Sequence, residues 1–344
     1  MTADSQQWIS TARGAIKRSD VDFFAVRPLR YWFDFLLSMG LAYGAGTIYL
    51  SAPLGSWQQF VTFCLAVFWL YRLGSLVHEV AHLGHDEMRT FKVVWNLAVG
   101  VLTLTPSPFF TRHHRDHHSQ RLYGTPEDPE YIVNLWQPGS RLDFLYYVVK
   151  VTLFPLVVFL RFLFVPLGYV HPRVRDFVLR RASALTMNRR YERPLTKQDV
   201  RVITVMEWLC WVRATMIPAA VLLGWTDWTR IPLLYLLALG VLFLNQMRLL
   251  ADHHFASHGR PMEWSSHILD SCNFTGRDPL TWLFFPFSIR YHALHHLFPS
   301  LPYHNLAAAH AYLLRELPAD SPYRTLDQTS WWSVARSTLR GPAA

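Results

Sequence analysis

Two apolar runs, residues 32–51 and 57–77, are joined by nothing more than Ala52-Pro53-Leu54-Gly55-Ser56. Each run approaches the ~20 residues that a helix needs to cross the hydrocarbon core of a bilayer. A link that short, with Pro and Gly and no charge, makes an antiparallel hairpin whose turn lies away from the basic flanks. Composition agrees with a membrane chain: 51% of the residues are hydrophobic and 17% charged, against about 25% charged in soluble domains. A second hairpin is expected at 205–223 and 231–247, joined through Trp225-Thr226-Asp227-Trp228. Its paired indoles suit a turn at headgroup level. A further apolar run at 144–170 contains Pro155, Arg161 and Pro166.

The formal charge of +9 does not call for nucleic acid. The cations gather between the apolar runs, above all in 171–201, as they do in the cytoplasmic segments of membrane proteins. That segment is read as a topology signal facing anionic lipid, with docking of acyl-carrier phosphates as a lesser reading. Cys64, Cys210 and Cys272 are odd in number and far apart, so neither a disulfide framework nor a Cys-based metal motif is expected. Residues 1–31 are polar and basic without a cleavable signal pattern, so the first spanning helix is expected to act as the targeting signal. The tail from Ala319 is polar and expected to be loosely ordered.

Histidines crowd the edges of the apolar runs. The first group is His78-Glu79-Val80-Ala81-His82-Leu83-Gly84-His85, where His78 and His82 share one helical face. The second is Arg112-His113-His114-Arg115-Asp116-His117-His118. Asp252-His253-His254 follows the last apolar run, and then comes His292-Ala293-Leu294-His295-His296. The spacing His-x-x-His-His occurs twice, at 114/117/118 and 292/295/296, and puts each triplet on one side of a helix. With His78, His82 and either His253 or His254, about as many nitrogens are present as two metal ions with open positions would use. All-nitrogen ligation suits iron, copper or zinc, and not magnesium or calcium. Glu79, Asp116, Asp128 and Asp252 are candidates to accept the second N–H of a ligating imidazole.

If these groups build one site, they share one face of the membrane. The run at 91–110 then does not cross, and an even number of the three runs between His118 and His253 does. Assigning two crossings to the second hairpin leaves 144–170 in the interface, where Arg161 avoids the cost of a charge at the bilayer centre. The expected fold is an all-α integral membrane protein with four spanning helices in two hairpins, interfacial helices and a cytoplasmic cap carrying the histidines. Its parts are a cytoplasmic segment 1–31, a membrane catalytic domain 32–315 and a cytoplasmic tail 316–344.

The order His-x3-His, His-x2-His-His with Asp128-Pro129-Glu130 following, then Tyr291-His292-Ala293-Leu294-His295-His296-Leu297-Phe298-Pro299, resembles the membrane fatty acid desaturase superfamily across residues 30–315. The resemblance implies a non-haem centre of two ferrous ions and O2-dependent oxidation of an acyl chain. It implies His78, His82, His114, His117, His118, His253, His292, His295 and His296 as ligands and catalytic residues. His85, His113 and His254 compete for assignment, and His113 also fits a looser form of the second box. Val170-His171-Pro172-Arg173 is not a haem-binding motif, so a fused haem domain is not expected. Electrons are then expected from a separate ferredoxin, rubredoxin or cytochrome b5-like donor. The substrate is a fatty acyl group borne by CoA, a carrier protein or a lipid, or present as the free acid.

Desaturation is the leading reading, with hydroxylation or terminal-alkene-forming decarboxylation by the same centre as alternatives. His78-Glu79-Val80-Ala81-His82 also matches a zinc metalloprotease helix, which leaves the later boxes unexplained. A membrane metal-binding or transport protein would place ionisable groups inside the spans, whereas these histidines lie at span ends. His171, His258, His267, His304 and His310 are read as surface or structural residues.

Overall fold

The computed structural model describes residues 4–131 and 141–340. Parts of the polar segments at 1–31, 119–143 and 316–344 lie outside the described residues. Helices dominate. In chain order they are α1 Asp4–Arg18, α2 Pro28–Ser51, α3 Trp57–His82, α4 Arg89–Trp95, α5 Pro108–His117, α6 Arg141–Leu163 and α7 Pro172–Arg181. There follow α8 Lys197–Leu222, α9 Arg230–Asp252, α10 Trp264–Leu269, α11 Pro279–Phe284, α12 His292–Leu297, α13 Tyr303–Glu316 and α14 Trp331–Arg340. Five of them, α2, α3, α6 from Leu145, α8 and α9, are long and apolar enough to cross a membrane. The chain divides into two compact units: Trp32–Asp116 with Leu145–Phe243, and Met1–Tyr31 with His117–Phe144 and Leu244–Ala344.

The first of these is the apolar unit. Ser56 caps α3 by accepting from the Gln59 amide at 3.1 Å, so the helix starts directly after the tight turn. It then runs unbroken through His78 and His82. Where α3 and α9 meet, Gly240 lets the backbones approach: a Cβ there would lie 2.6 Å from Val67 Cγ2. The Arg230 guanidinium closes the turn end by donating to the Leu50 carbonyl at 2.6 Å. Leu36, Leu41, Leu153, Val157, Val212 and Phe243 point outward and are exposed, as an apolar surface facing lipid would be.

Residues 91–110 do not form a long helix. Seven α-helical residues pass into a six-residue π-helix, Asn96–Val101. At ~1.5 Å per residue this is roughly 20 Å, short of the ~30 Å hydrocarbon core. The segment then turns back. Asn96 Oδ1 accepts from the Ser107 amide at 2.8 Å, and its Nδ2 donates to Ser107 Oγ at 2.9 Å. Gly100 is required there, since a Cβ would sit 2.8 Å from Pro106 Cα.

The run at 144–170, placed in the interface partly on account of Arg161, forms α6, a helix long and apolar enough from Leu145 to cross a membrane. Arg161 lies near the end of α6, donates to the Ala182 carbonyl at 2.7 Å and pairs with buried Glu207. Arg175 adds a second pair to Glu207 at 2.8 Å. The cation is neutralised at the helix end and places no bare charge in the apolar body. Part of the basic 171–201 segment is likewise built in. Arg193 is buried and donates to the carbonyls of Pro108 and Ser183, both at 2.7 Å, while Arg181 pairs with Glu192 at 2.8 Å. Val101, Phe109, Phe162, Val165, Leu179, Ile203, Cys210 and Ala214 form the core beneath them.

The second, histidine-rich unit is pinned by very short β pairings. β1, Asn273–Phe274, pairs in parallel with β2, Asp327–Gln328, in the register Asn273↔Asp327. Single bridges join His253 to Ser271 and Asn273 to Tyr291. Asn273 Oδ1 accepts from the Leu294 amide at 3.0 Å, and the Cys272 carbonyl from that of Ala293 at 3.1 Å. The box helix α12 is thereby held beside the end of α9. Amphipathic α1 buries Trp8, Ile9, Ala12, Ala15 and Ile16 and packs on α10 and α13.

Among the described residues the tail is ordered through residue 340, contrary to expectation. Tyr323, Leu326, Trp331, Val334 and Ala335 are buried. The Trp331 indole donates to the Met247 carbonyl at 2.7 Å. A polar average conceals an apolar stripe at helical spacing, Trp331/Val334/Ala335.

Candidate metal centre

Within the histidine-rich unit, His117, His253, His292 and His296 bring ligand nitrogens within 4.8 Å of one another, and all four side chains are buried. His292 Nε2 lies 3.2 Å from His253 Nε2 and 3.0 Å from His296 Nε2. His118 and His295 face each other beside them, Nε2 to Nε2 at 3.2 Å. Within the apolar unit, His78, His82 and His114 form a second gathering, with ring centres 4.7 to 5.2 Å apart. His114 stacks on Phe110 at 4.7 Å.

The groups behind the rings fix which nitrogen faces inward. His117 Nδ1–H donates to Asp128 at 2.9 Å. Tyr123 donates its hydroxyl hydrogen to Asp270 at 2.8 Å. A phenol has one hydrogen, so its oxygen must accept from His253 Nδ1–H, also at 2.8 Å. Ser271 Oγ lies 3.1 Å from the same nitrogen. His253 therefore presents an Nε2 lone pair to its neighbours, as a ligand must. Bringing neutral imidazole lone pairs to about 3 Å in a dry site is repulsive unless a cation or proton lies among them, so the donor set fits a metal ion.

Electrostatics point the same way. Burial, reinforced by the neighbouring histidines, holds His253 and His296 well below the usual histidine range, so they stay neutral. Burial would lower His117 too, but the charge and hydrogen bond of Asp128 outweigh it and raise its pKa. A metal ion would take the place of the proton that Asp128 otherwise favours. Glu130, half-buried close by, is raised to about 7, chiefly by desolvation.

The other acids that the sequence singles out have varied surroundings. Glu79 Oε1 lies 3.4 Å from His78 Nδ1. Asp116 accepts from the Tyr191 hydroxyl at 2.7 Å and from Arg112 at 3.2 Å. Asp252 pairs with Arg248 at 2.8 Å. Among the competing histidines, His113 Nδ1 lies 2.9 Å from the Phe109 carbonyl, exposed His85 pairs with Asp86 at 2.9 Å, and His254 is exposed.

His267, read from the sequence as a surface or structural residue and not a ligand, is buried directly behind the site. It is fully buried, with Nε2 2.8 Å from Nδ1 of His296 and its ring stacked on Tyr123 at 3.5 Å. Burial pushes its pKa down to about 2. Neither Tyr123, His267 nor Asp270 belongs to a spaced motif, so sequence reasoning had no local pattern by which to find them. His310 is structural, bonded to Tyr323 at 2.8 Å. His304 lies 3.3 Å from the Ala25 carbonyl, His171 caps α7, and His258 is exposed.

A family model described as fatty acid desaturase matches residues 54–327. The chain belongs to the fatty acid desaturase family. A ceramide hydroxylase of Caulobacter vibrioides (strain NA1000 / CB15N) is 34% identical over 340 residues, which cover 96% of this chain and 94% of that protein. As a member of this family the chain is a membrane oxidoreductase of fatty acyl or lipid chains, and its helices and histidine clusters accord with that.

Proposed function

We propose that this desaturase-family enzyme is an O2-dependent hydroxylase acting on a hydrocarbon chain of a ceramide-class lipid. The observation that carries this is its match, over nearly the whole of both chains, to a protein named a ceramide hydroxylase. Desaturation of such a chain is the second reading, favoured by the family description over residues 54–327. His117, His253, His292 and His296 would hold one iron, and His78, His82 and His114 are the candidate ligands within the apolar unit for the other. Two ferrous ions so held would supply O2 activation and oxidation of an unactivated C–H bond. The protein's own share is to orient and to exclude water. Asp128 fixes His117, the Tyr123–Asp270 pair fixes His253, and burial keeps His253 and His296 neutral and ready to bind metal.

The topology proposed with this reading keeps four crossings and a cytoplasmic centre. His117 and His253 lie 5.2 Å apart within one unit, which supports an even number of crossings among α6, α8 and α9. The short turn between α8 and α9, which like that between α2 and α3 carries no cation, favours α6 as the helix that does not cross. The test is expression with a reducing partner in a ceramide-producing host, followed by lipid mass spectrometry. Ceramides gaining one oxygen atom, dependent on O2 and on His296, support hydroxylation. Ceramides losing two hydrogens shift the reading to desaturation, and unchanged lipids with no iron in the purified protein refute both.

A further inference from the structure

A cavity of about 400 Å³ lies against α1, lined by Gln6, Ile9, Arg13, Lys17 and the Trp264 indole of α10. Its rim is cationic, because Arg13 and Lys17 are exposed there, and the Arg13 guanidinium sits 5.6 Å over the Trp264 ring. The indole itself is poorly explained by folding. Its Nε1–H is buried with no hydrogen-bond partner, an unmet donor that destabilises the fold and that a phenylalanine would avoid. Behind this wall an unbroken series of aromatic contacts leads inward. The Trp264 and His267 rings are 4.9 Å apart, and His267 Nε2 is hydrogen-bonded to His296 Nδ1 at 2.8 Å. His267 is also stacked on Tyr123, whose oxygen holds His253.

We propose that an acidic one-electron carrier protein docks on the Arg13–Lys17 face of α1, and that its electron passes through the Trp264 indole and the His267 imidazole to His296. The inference rests on the di-iron reading above. Hydroxylation balances as R–H + O2 + 2 e⁻ + 2 H⁺ → R–OH + H2O, so two reduced carriers are each oxidised by one electron per turnover. An anionic lipid headgroup would account for the cations. It would leave the orphaned indole and the inward aromatic contacts without a purpose.

The test uses the full-length protein in nanodiscs with a reduced, strongly acidic [2Fe–2S] ferredoxin as the probe. The double reversal Arg13→Glu/Lys17→Glu should weaken ferredoxin binding roughly tenfold and raise KM for ferredoxin with kcat kept. The difference should vanish near 1 M salt, where charges are screened within ~3 Å. Trp264→Leu should keep ferredoxin affinity and iron content but slow ferredoxin oxidation at least tenfold, with Trp264→Phe falling between. Unchanged ferredoxin affinity in the double variant overturns the docking site, and so does a loss confined to binding of anionic phosphatidylglycerol vesicles. An unchanged oxidation rate in Trp264→Leu overturns the relay. Dithionite reduction bypasses the carrier: iron-free wild-type protein with no dithionite-driven turnover refutes the di-iron reading, while ferredoxin affinity still judges the docking face.

Discussion

Replacing Asp128 by Asn tests the site at a point where the geometry allows the cost to be worked out. The carboxylate is fully buried and takes at least four donors. Oδ1 receives His117 Nδ1 at 2.9 Å and the amides of Glu130 and Tyr131 at 3.0 and 3.2 Å, while Oδ2 receives the Gly124 amide at 2.9 Å. An asparagine has one acceptor oxygen and one donor NH2. With its oxygen on the Oδ1 side, the NH2 confronts the Gly124 amide and leaves that buried N–H unpaired, at ~1–3 kcal/mol. Turned over, it confronts His117 and two amides, which costs more. The imidazole also loses the charge that sets its tautomer, and loss of such a partner lowers metal affinity about 10–100-fold, or ~1.4–2.7 kcal/mol. Two measurements separate these effects: the melting of metal-free protein, and iron retention against a graded chelator. Asp128→Asn should lower both. A variant that holds iron as tightly as wild type and melts at the same temperature would refute the role given to the carboxylate.

Four further substitutions probe other parts of the argument. His114→Ala should abolish iron binding and activity, whereas His113→Ala, which removes a bond to the Phe109 carbonyl, should keep iron at a cost of about 1 kcal/mol; greater iron loss in the second variant would show the ligand register to be wrong. For His267, a folded pKa of about 2 against ~6.5 unfolded means that the unfolded chain binds the extra proton between those values. Its contribution is thus intact above pH 6.5 and falls by about 1.4 kcal/mol per pH unit below it, so metal-free His267→Gln should lose stability less steeply from pH 7 to 5.5; parallel melting curves would contradict this. Glu207→Gln should cost ~3–5 kcal/mol by leaving Arg161 and Arg175 without their shared carboxylate, and an unaltered melting temperature in detergent would refute the account of Arg161.

What could be read from the sequence was whatever is local. The turn at 52–56 carries its own reasons in Pro53, Gly55 and the Ser56 cap, so both helices of the first hairpin begin or end where the pattern places them. The distant contacts were hidden. Arg161 alone reads as a charge too costly for the bilayer centre, and only the return of Glu207 to its side shows how it is neutralised. The tail's stripe of Trp331, Val334 and Ala335 is lost in a polar average because three apolar residues suffice once a surface is waiting for them.

The acids show the same limit most sharply. Asp116 and Asp252 each stand one residue before a histidine of the site, which made them attractive as partners for the imidazoles. Neighbours on a helix point ~100° apart, so a residue adjacent to an inward-facing histidine is directed elsewhere. Asp252 accordingly reaches back one turn to Arg248, and Asp116 is anchored by Tyr191 and Arg112. Asp128 reaches His117 because it is not on the helix at all. It sits in the turn closed by Gly124, whose left-handed φ of 72° brings the chain round to face His117. For a site built on helices, the groups that steer the ligands come from the loops and neighbouring helices that fold back over them. Tyr123, His267 and Asp270 are the other instances here.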